Sequence, residues 1–550
     1  MVLKCFAFGF ACIACLVHLS TNLAAAEALR IVALAGDESS GNAIESLGVP
    51  SLNGSGQSAF YAELFTASNR TSLLIERSAG SLTVVAQHGD TGPGEGVTID
   101  DVRASQSSSP PLNNAGVTAF AAGLFGPGVG LFNRDAVLRD SGGALELVAP
   151  SGDAVPGAEV GFDFIPSLHL NNSGQAAFMA ELFGTSVDQS NDFGVFREDA
   201  VGELATVARE GDFLPQSSLQ FFFPATARGL WTVSLNDRGQ TAFAGLLTGR
   251  GAGAGNNLAI FSEGNGNGVE IVARSGSTAP SLPDGEQFSR FGIPKLNNLG
   301  HSAFFAELAG ASVTESTDYG LFRTTASGDT VIVARDGGAA PDMPEAVVFD
   351  FNYTVVRGGF GEEGPSFNDV DQTAFIASLT GTDPVSGFAN QGIFRGESDG
   401  ELHLVARSGE EAPGRSDGAY LRDFSQLALN DNGQIAVLAS LEIDDSFGGR
   451  SILAQDTAGI LHTIASTGDE LNLSNDPSQL DLSTVERLSF AGDAAWNARG
   501  QIAFKAEFTD GTSGVFISNL VAVPEPASWT LLGGLLLVVN WRMKRRKLRG

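Results

Sequence analysis

"LNNSGQAAFMAEL", residues 170–182, decides the fold, because the chain says nearly the same thing seven more times, at 52–64, 112–124, 235–246, 296–308, 367–379, 429–441 and 496–508. The motif asparagines are Asn53, Asn113, Asn171, Asn236, Asn297, Asn368, Asn430 and Asn497, separated by 60, 58, 65, 61, 71, 62 and 67 residues. A period of that size marks a repeat architecture. In N-x-x-G the asparagine side chain accepts from backbone N–H groups just downstream, and the glycine takes the positive φ that closes the turn. Those glycines are Gly56, Gly116, Gly174, Gly239, Gly300, Gly433 and Gly500; Asp371 stands there in the sixth copy, so another turn is expected at that corner. The residues that follow alternate as a strand does. In the first copy Ala59, Tyr61 and Glu63 point one way, and Phe60, Ala62 and Leu64 form an apolar face on the other. The central position is Phe in seven copies and Val437 in the remaining one.

Two more short strands recur. One is G-[LVI]-F, at 130–132, 194–196, 320–322, 392–394 and 514–516, with looser forms at 73–75, 259–261 and 452–454. The other is L-x-x-V-A-x-x-G-[DSGE], at 29–37, 82–90, 145–153, 204–212, 269–277, 330–338, 402–410 and 461–469. A fourth, less regular stretch rich in Phe, Leu and Ile precedes most of the asparagines. Named in order A (before Asn), B (A-F-x-A), C (G-L-F) and D (V-A-x-x-G-D), the elements run D, then A-B-C-D seven times, then A-B-C. Four antiparallel strands repeated radially describe an all-β fold, a β-propeller of eight four-stranded blades, with the N-terminal D strand completing the last blade. The alternative is an open β-repeat array. An open stack is expected to carry atypical capping repeats, and the terminal copies here look like the internal ones.

Composition fits an exported all-β chain. Hydrophobic residues make up 43%, and 38 Phe against 4 Tyr and 4 Trp make Phe the packing residue. Cys5, Cys12 and Cys15 are the only cysteines, and all lie in an N-terminal segment with Lys4, an apolar core at 6–19 and Ala24-Ala25-Ala26 before Glu27. That pattern is a secretory signal over 1–26. Its removal leaves no disulfide, thiolate metal site or cysteine nucleophile. The net charge is −31; without Lys4 and the six positive residues at the C-terminus, residues 27–526 carry −38. Such a domain repels nucleic acid and anionic membranes, so no nucleic-acid partner is expected.

The last thirty residues, 521–550, hold Pro524, Glu525 and Pro526, an apolar stretch at 527–539, and the basic residues Arg542, Lys544, Arg545, Arg546, Lys547 and Arg549. The apolar stretch is short for a membrane span, and the basic cluster belongs on the cytoplasmic side. With the signal peptide, this tail resembles the PEP-CTERM sorting domain of Gram-negative bacteria. The resemblance implies recognition by an exosortase-type processing protease, transient inner-membrane anchoring, and a host that makes exopolysaccharide. The N-x-x-G-x-x-A-F-x-A repeats over 27–520 also resemble a tandem-repeat family of exported proteins with assorted surface anchors, the choice-of-anchor type, which implies no activity.

Motifs that carry chemistry are missing. There is no H-E-x-x-H, phosphate loop or G-x-S-x-G elbow, and the glycine run at 249–255 reads as a loop. His88, His169, His301, His403 and His462 fall in different blades or repeat phases, without metal-ligand spacing. No catalytic residue and no cofactor are expected. Calcium is the one ion to consider, through Asp37, Asp90, Asp153, Asp212 and Asp469 after the D-strand glycine and Asp237, Asp369 and Asp431 after the motif asparagine; the competing reading is that they cap turns. Trp231 and Trp496 are too few for a row of sugar platforms, and Phe221–Phe223 reads as an exposed loop patch. The expectation is an extracellular protein that binds exopolysaccharide or a surface protein without turnover. The alternatives are an enzyme acting on polysaccharide and a structural spacer. A functional face should gather the irregular segments at about 213–230, 339–366 and 380–391.

Overall fold

The computed structural model describes residues 29–521 except 66–69, 104–107, 131–133, 151–160, 163–164, 166, 225–231, 284, 345, 352–363, 382–389, 445 and 475–478. The expected signal segment 1–26, the Pro524-Glu525-Pro526 motif with its basic tail, Trp231 and Asp153 lie outside the described residues. Every motif copy becomes a B strand: Ser58–Leu64, Thr118–Phe125, Ala176–Phe183, Thr241–Gly249, Ser302–Ala309, Thr373–Thr380, Ile435–Ile443 and Ile502–Phe508. Each sits second in an antiparallel sheet of order A-B-C-D, as in the fifth blade, where Gln287–Phe291, Ser302–Ala309, Tyr319–Thr324 and Thr330–Arg335 are neighbours.

Eight such blades form a closed ring. The N-terminal strand Leu29–Leu34 lies beside Ser513–Ser518, with Leu29 opposite Ser518, Ile31 opposite Phe516 and Leu34 opposite Gly514. It is therefore the D strand of the eighth blade, and the open array is excluded.

The G-x-F element is explained by a bulge. All eight C–D pairs shift register at this point, between Val195 and Phe196 in the third blade and between Ile393 and Phe394 in the sixth. The phenylalanine ring folds back over the glycine two residues earlier, so a Cβ on Gly194, Gly392 or Gly514 would lie 2.6–2.7 Å from a ring carbon. The second blade corrects the sequence assignment. Its C strand is Asp135–Asp140, not 130–132, and Ala136-Val137-Leu138 occupies the Gly-x-Phe positions, with the bulge between Val137 and Leu138. In the first and seventh blades the pattern shifts back one residue, to 72–74 and 451–453, by the same bulge.

The expectation of one apolar face per strand is also too narrow. A propeller blade is covered on both sides, and the core is a circuit of clusters lying between blades. Tyr61 and Leu73 of blade 1 pack with Phe120, Ala122 and Leu124 of blade 2, and Phe305 and Leu321 of blade 5 pack with Phe349, Phe375 and Phe394 of blade 6. Phe60, Phe120, Phe178, Phe243, Phe304, Phe375 and Phe504 are all at most 1% exposed. Phe221 and Phe223, read as a loop patch, are 3% exposed and pack on Phe243; Phe221 lies within the strand Leu219–Phe222 and Phe223 directly follows it.

Because strands alternate in direction, A–B and C–D connections share one face of the ring, the turn face. B–C and D–A connections share the other, the loop face. Every A–B corner is the same short turn, whereas B–C connections run from two residues at 444–445 to ten at 381–390.

Candidate functional site: the ring axis and its two faces

The turn face is organised by the motif asparagines. At the first corner Asn53 Oδ1 accepts from the N–H groups of Ser55 and Gln57 at 3.0 and 2.9 Å, which makes the turn. Its Nδ2 donates to the backbone oxygen of Asn113 in the next blade, 2.7 Å away. Asn113 donates to Asn171, and so on through Asn236, Asn297, Asn368 and Asn430 to Asn497, which closes the circle on Asn53 at 2.9 Å. One side chain thus builds a corner and ties two blades. The second Nδ2 proton goes to the glutamine four residues on at six corners, including Gln57, Gln175 and Gln501. All eight asparagines are 3–5% exposed, where an unpaired amide would be costly.

The turn glycines serve twice. Gly116, Gly239, Gly433 and Gly56 have φ of +75 to +80°, and a Cβ on any of them would lie 2.7–2.9 Å from the preceding blade's glutamine. Asp371, expected to change the turn, keeps it: φ is +64°, and its N–H still reaches the Asn368 oxygen at 3.3 Å. The preceding blade carries His301 where the glutamine normally stands. Asp371 accepts from Asn297 Nδ2 at 2.8 Å, in place of the missing glutamine oxygen, and lies 2.8 Å from His301 Nδ1.

A second circuit stands one residue on. Asn114, Asn172, Asp237, Asn298, Asp369 and Asp431 each accept, through Oδ1, the backbone N–H of the equivalent residue in the blade before; Gly54 and Ala498 interrupt it. Burial raises the Asp369 pKa, hydrogen bonds from Asn298 oppose it, and the charges of Asp431 and Asp237 add to the rise. Asp37, Asp90 and Asp469 accept the backbone N–H three residues earlier, at 2.7–3.0 Å, as turn caps do. Among the described residues no three His, Cys, Asp or Glu side chains converge on a common point.

Charge latches that the sequence reading passed over join neighbouring blades. Arg77 pairs with Asp140, Arg139 with Glu198 at 2.8 Å, Arg197 with Glu263 at 2.9 Å, and Arg30 with Glu76 across the closure. The signal was present as arginine just after the C-strand phenylalanine in 194–197, 320–323 and 392–395.

Two merging cavities, of about 490 and 700 Å³, follow the axis. The smaller is framed by the asparagine circuit. The larger holds the break in symmetry. Lys295 of blade 5, one of two lysines in 27–526, faces Asp493, on the 3-10 turn Gly492–Ala495 of blade 8, with Nζ and Oδ2 4.0 Å apart. Asp493 Oδ1 accepts from Ser366 Oγ of blade 6 at 2.9 Å and from the Leu429 N–H of blade 7 at 3.1 Å, so one carboxylate joins four blades. His169 lines both cavities. Its ring is open to the channel, yet the surrounding protein and then Lys295 lower its pKa to about 4, and it is neutral at ordinary pH. Enclosure by the ring outweighs its local exposure in setting that direction. Gln426 sits at a bulge of the strand Tyr420–Leu429 with φ of +48°, and its Oε1, like Ser167 Oγ, is buried at this cavity with no hydrogen-bond partner.

The loop face is different. Among the described residues every exposed large aromatic side chain lies there: Phe125 (70% exposed), Phe65, Phe213, Phe447 and Tyr420. Glu210, at the start of a D–A connection, has its pKa pushed up to about 7, first by burial and then by Asp192. Trp496 is buried, donating from Nε1 to the Gln434 oxygen at 3.2 Å, and is no platform.

The chain belongs to a family of unknown function, DUF7453. The family model matches residues 52–530. No curated protein matches the chain. Among solved structures it is similar to a Mycobacterium tuberculosis puromycin-hydrolyzing peptidase at 12% identity (TM-score 0.36, 87% of this chain, 60% of that one). It is also similar to the polysaccharide lyase Uly1 at 9% (TM-score 0.32, 86% and 90%) and to the Pseudomonas aeruginosa periplasmic gluconolactonase PpgL at 14% (TM-score 0.30, 76% and 95%). The chain spans about three fifths of the length of the puromycin-hydrolysing proteins it matches. None of these likenesses bears on activity.

Proposed function

We propose that this family member is an exported propeller that binds an extracellular polymer, an exopolysaccharide or a surface protein, and does so without turnover. The observation that supports the reading is the inequality of the two faces: the turn face is consumed by its own hydrogen bonds, while the loop face carries variable connections and exposed phenylalanines that the fold does not use. Exposed aromatic side chains supply the contact area that binding surfaces are enriched in. The Pro524-Glu525-Pro526 tail sorts the protein through an exosortase-type protease, which leaves the propeller at the cell surface. A second reading, turnover of polysaccharide, is favoured by the lysine, carboxylate and neutral imidazole lining one cavity.

The test is to incubate the exported protein with the host's polysaccharide, with and without calcium, and to measure retention and chain length together. Retention at constant chain length is expected. Phe125→Ser with Phe65→Ser should reduce retention, and progressive shortening of the polymer would transfer the reading to an enzyme.

A further inference from the structure

The axial cavity is polar where the fold does not need it to be. Seven of the eight blades have no lysine in the stretch ahead of the motif asparagine, so the blade itself does not require one. At 4.0 Å the two groups are too far apart for a direct hydrogen bond. The gap fits a single hydroxyl oxygen, about 2.8 Å from each, accepting from the ammonium and donating to the free carboxylate oxygen. Gln426 and Ser167 line the same cavity, and their buried Oε1 and Oγ atoms have no hydrogen-bond partner; a buried polar atom without a partner calls for one. Leu168 and Leu427 add apolar wall beside them. About 700 Å³ falls within the size range of small-ligand sites.

We propose that this cavity binds a neutral, hydroxyl-rich sugar residue, with Lys295 and Asp493 sharing one hydroxyl and Gln426 and Ser167 engaging others. This rests on the reading above that the polymer is a glycan, and adds the place and the chemical class. Neutral sugar is favoured over acidic because Lys295 is already matched by Asp493, His169 is uncharged, and Asp237 and Asp431 line the adjoining cavity of a domain carrying −38. A uronate would gain one half-committed cation and meet the repulsion of the rest.

Calorimetric titration of the full chain with oligosaccharides cut from the host polysaccharide, sorted into neutral and uronate-bearing pools, tests this. The neutral pool is expected to bind saturably. Lys295→Met and Asp493→Asn should each weaken it tenfold or more with unchanged thermal melts, and Gln426→Ala, whose Oε1 has no partner to lose, keeps the test informative if either variant is unstable. Phe125→Ser should lower polymer retention and leave fragment binding intact. Wild-type protein that binds neither pool, or variants that bind as well as it does, overturn the channel site. Preference for the uronate pool overturns the ligand class. Polymer retained without fragment binding sinks the channel site alone, while fragments bound without polymer retention sink the loop-face reading alone.

Discussion

The two faces of the ring are made from the same strands and differ in what holds them. On the turn face one side chain per blade, the motif asparagine, closes a corner and reaches into the next blade, so eight copies form one circuit. On the loop face connections vary in length, and among the described residues no circuit runs between them. The lesson is about where tolerance lies: a position that serves two blades at once cannot drift, and one that serves a single loop can.

The comparison is broken most severely at the closure. Deleting Leu29–Leu34 removes the D strand of the eighth blade, with Val32 and Ala33 in the core and Ile31 and Leu34 packed against it. Buried apolar side chains contribute roughly 1.5–3 kcal/mol each, so a loss of several kcal/mol is expected in denaturant unfolding; an unchanged midpoint would show that the ring does not depend on the strand. Asn497→Ala should come next, at about 2–4 kcal/mol, because it removes two turn bonds, the bond to Asn53 and the bond to Gln501. Asn114→Ala, in the more exposed second circuit, should cost well under half as much.

The His301 and Asp371 corner sharpens the comparison. Asp371→Gly alone removes an acceptor from Asn297 and His301, and His301→Gln alone sets a glutamine against the Asp371 carboxylate. The pair together restores the arrangement of the other corners. A double-mutant cycle should therefore show a coupling of about 1 kcal/mol or more, and simple additivity would mean that the two substitutions are unrelated. A smaller effect is expected in acid. The folded-state pKa of His169 is depressed to about 4 from its ordinary 6.5, so the unfolded chain takes up the proton first, and stability falls as pH drops from about 6.5 to 4. His169→Gln should flatten that part of the profile. Glu210 has the opposite sign: its pKa, raised to about 7, makes stability fall as pH rises from about 4.5 to 7, and Glu210→Gln should remove that slope. Smallest is Phe125→Ser, expected within about 0.5 kcal/mol because the ring is exposed.

The repeats were legible because turn and strand chemistry are local. The asparagine, its glycine and the Ala-Phe-x-Ala alternation each satisfy neighbours within four residues, and spacing alone then ordered the blades. The misreadings have local causes too. The bulge in the C strand goes with a one-residue slide of the pattern in the first and seventh blades, where the glycine is missing, and in the second blade an attractive G-L-F at 130–132 drew the assignment away from Asp135–Asp140. Phe221 and Phe223 read as a loop because the A strands are short and interrupted. Asp371 read as a broken turn because its compensating partner, His301, is 70 residues away.

What the sequence determined by itself, then, was the eightfold repeat, most of its strands and the apolar character of the B-strand face, all set by interactions between residues close in the chain. Only the tertiary structure decided the closure, the asparagine circuit and the meeting of Lys295 with Asp493. Those depend on which residues of different blades face one another across a junction or the axis, and a ring brings residues 53 and 497 into hydrogen-bond distance with nothing in their own neighbourhoods to announce it.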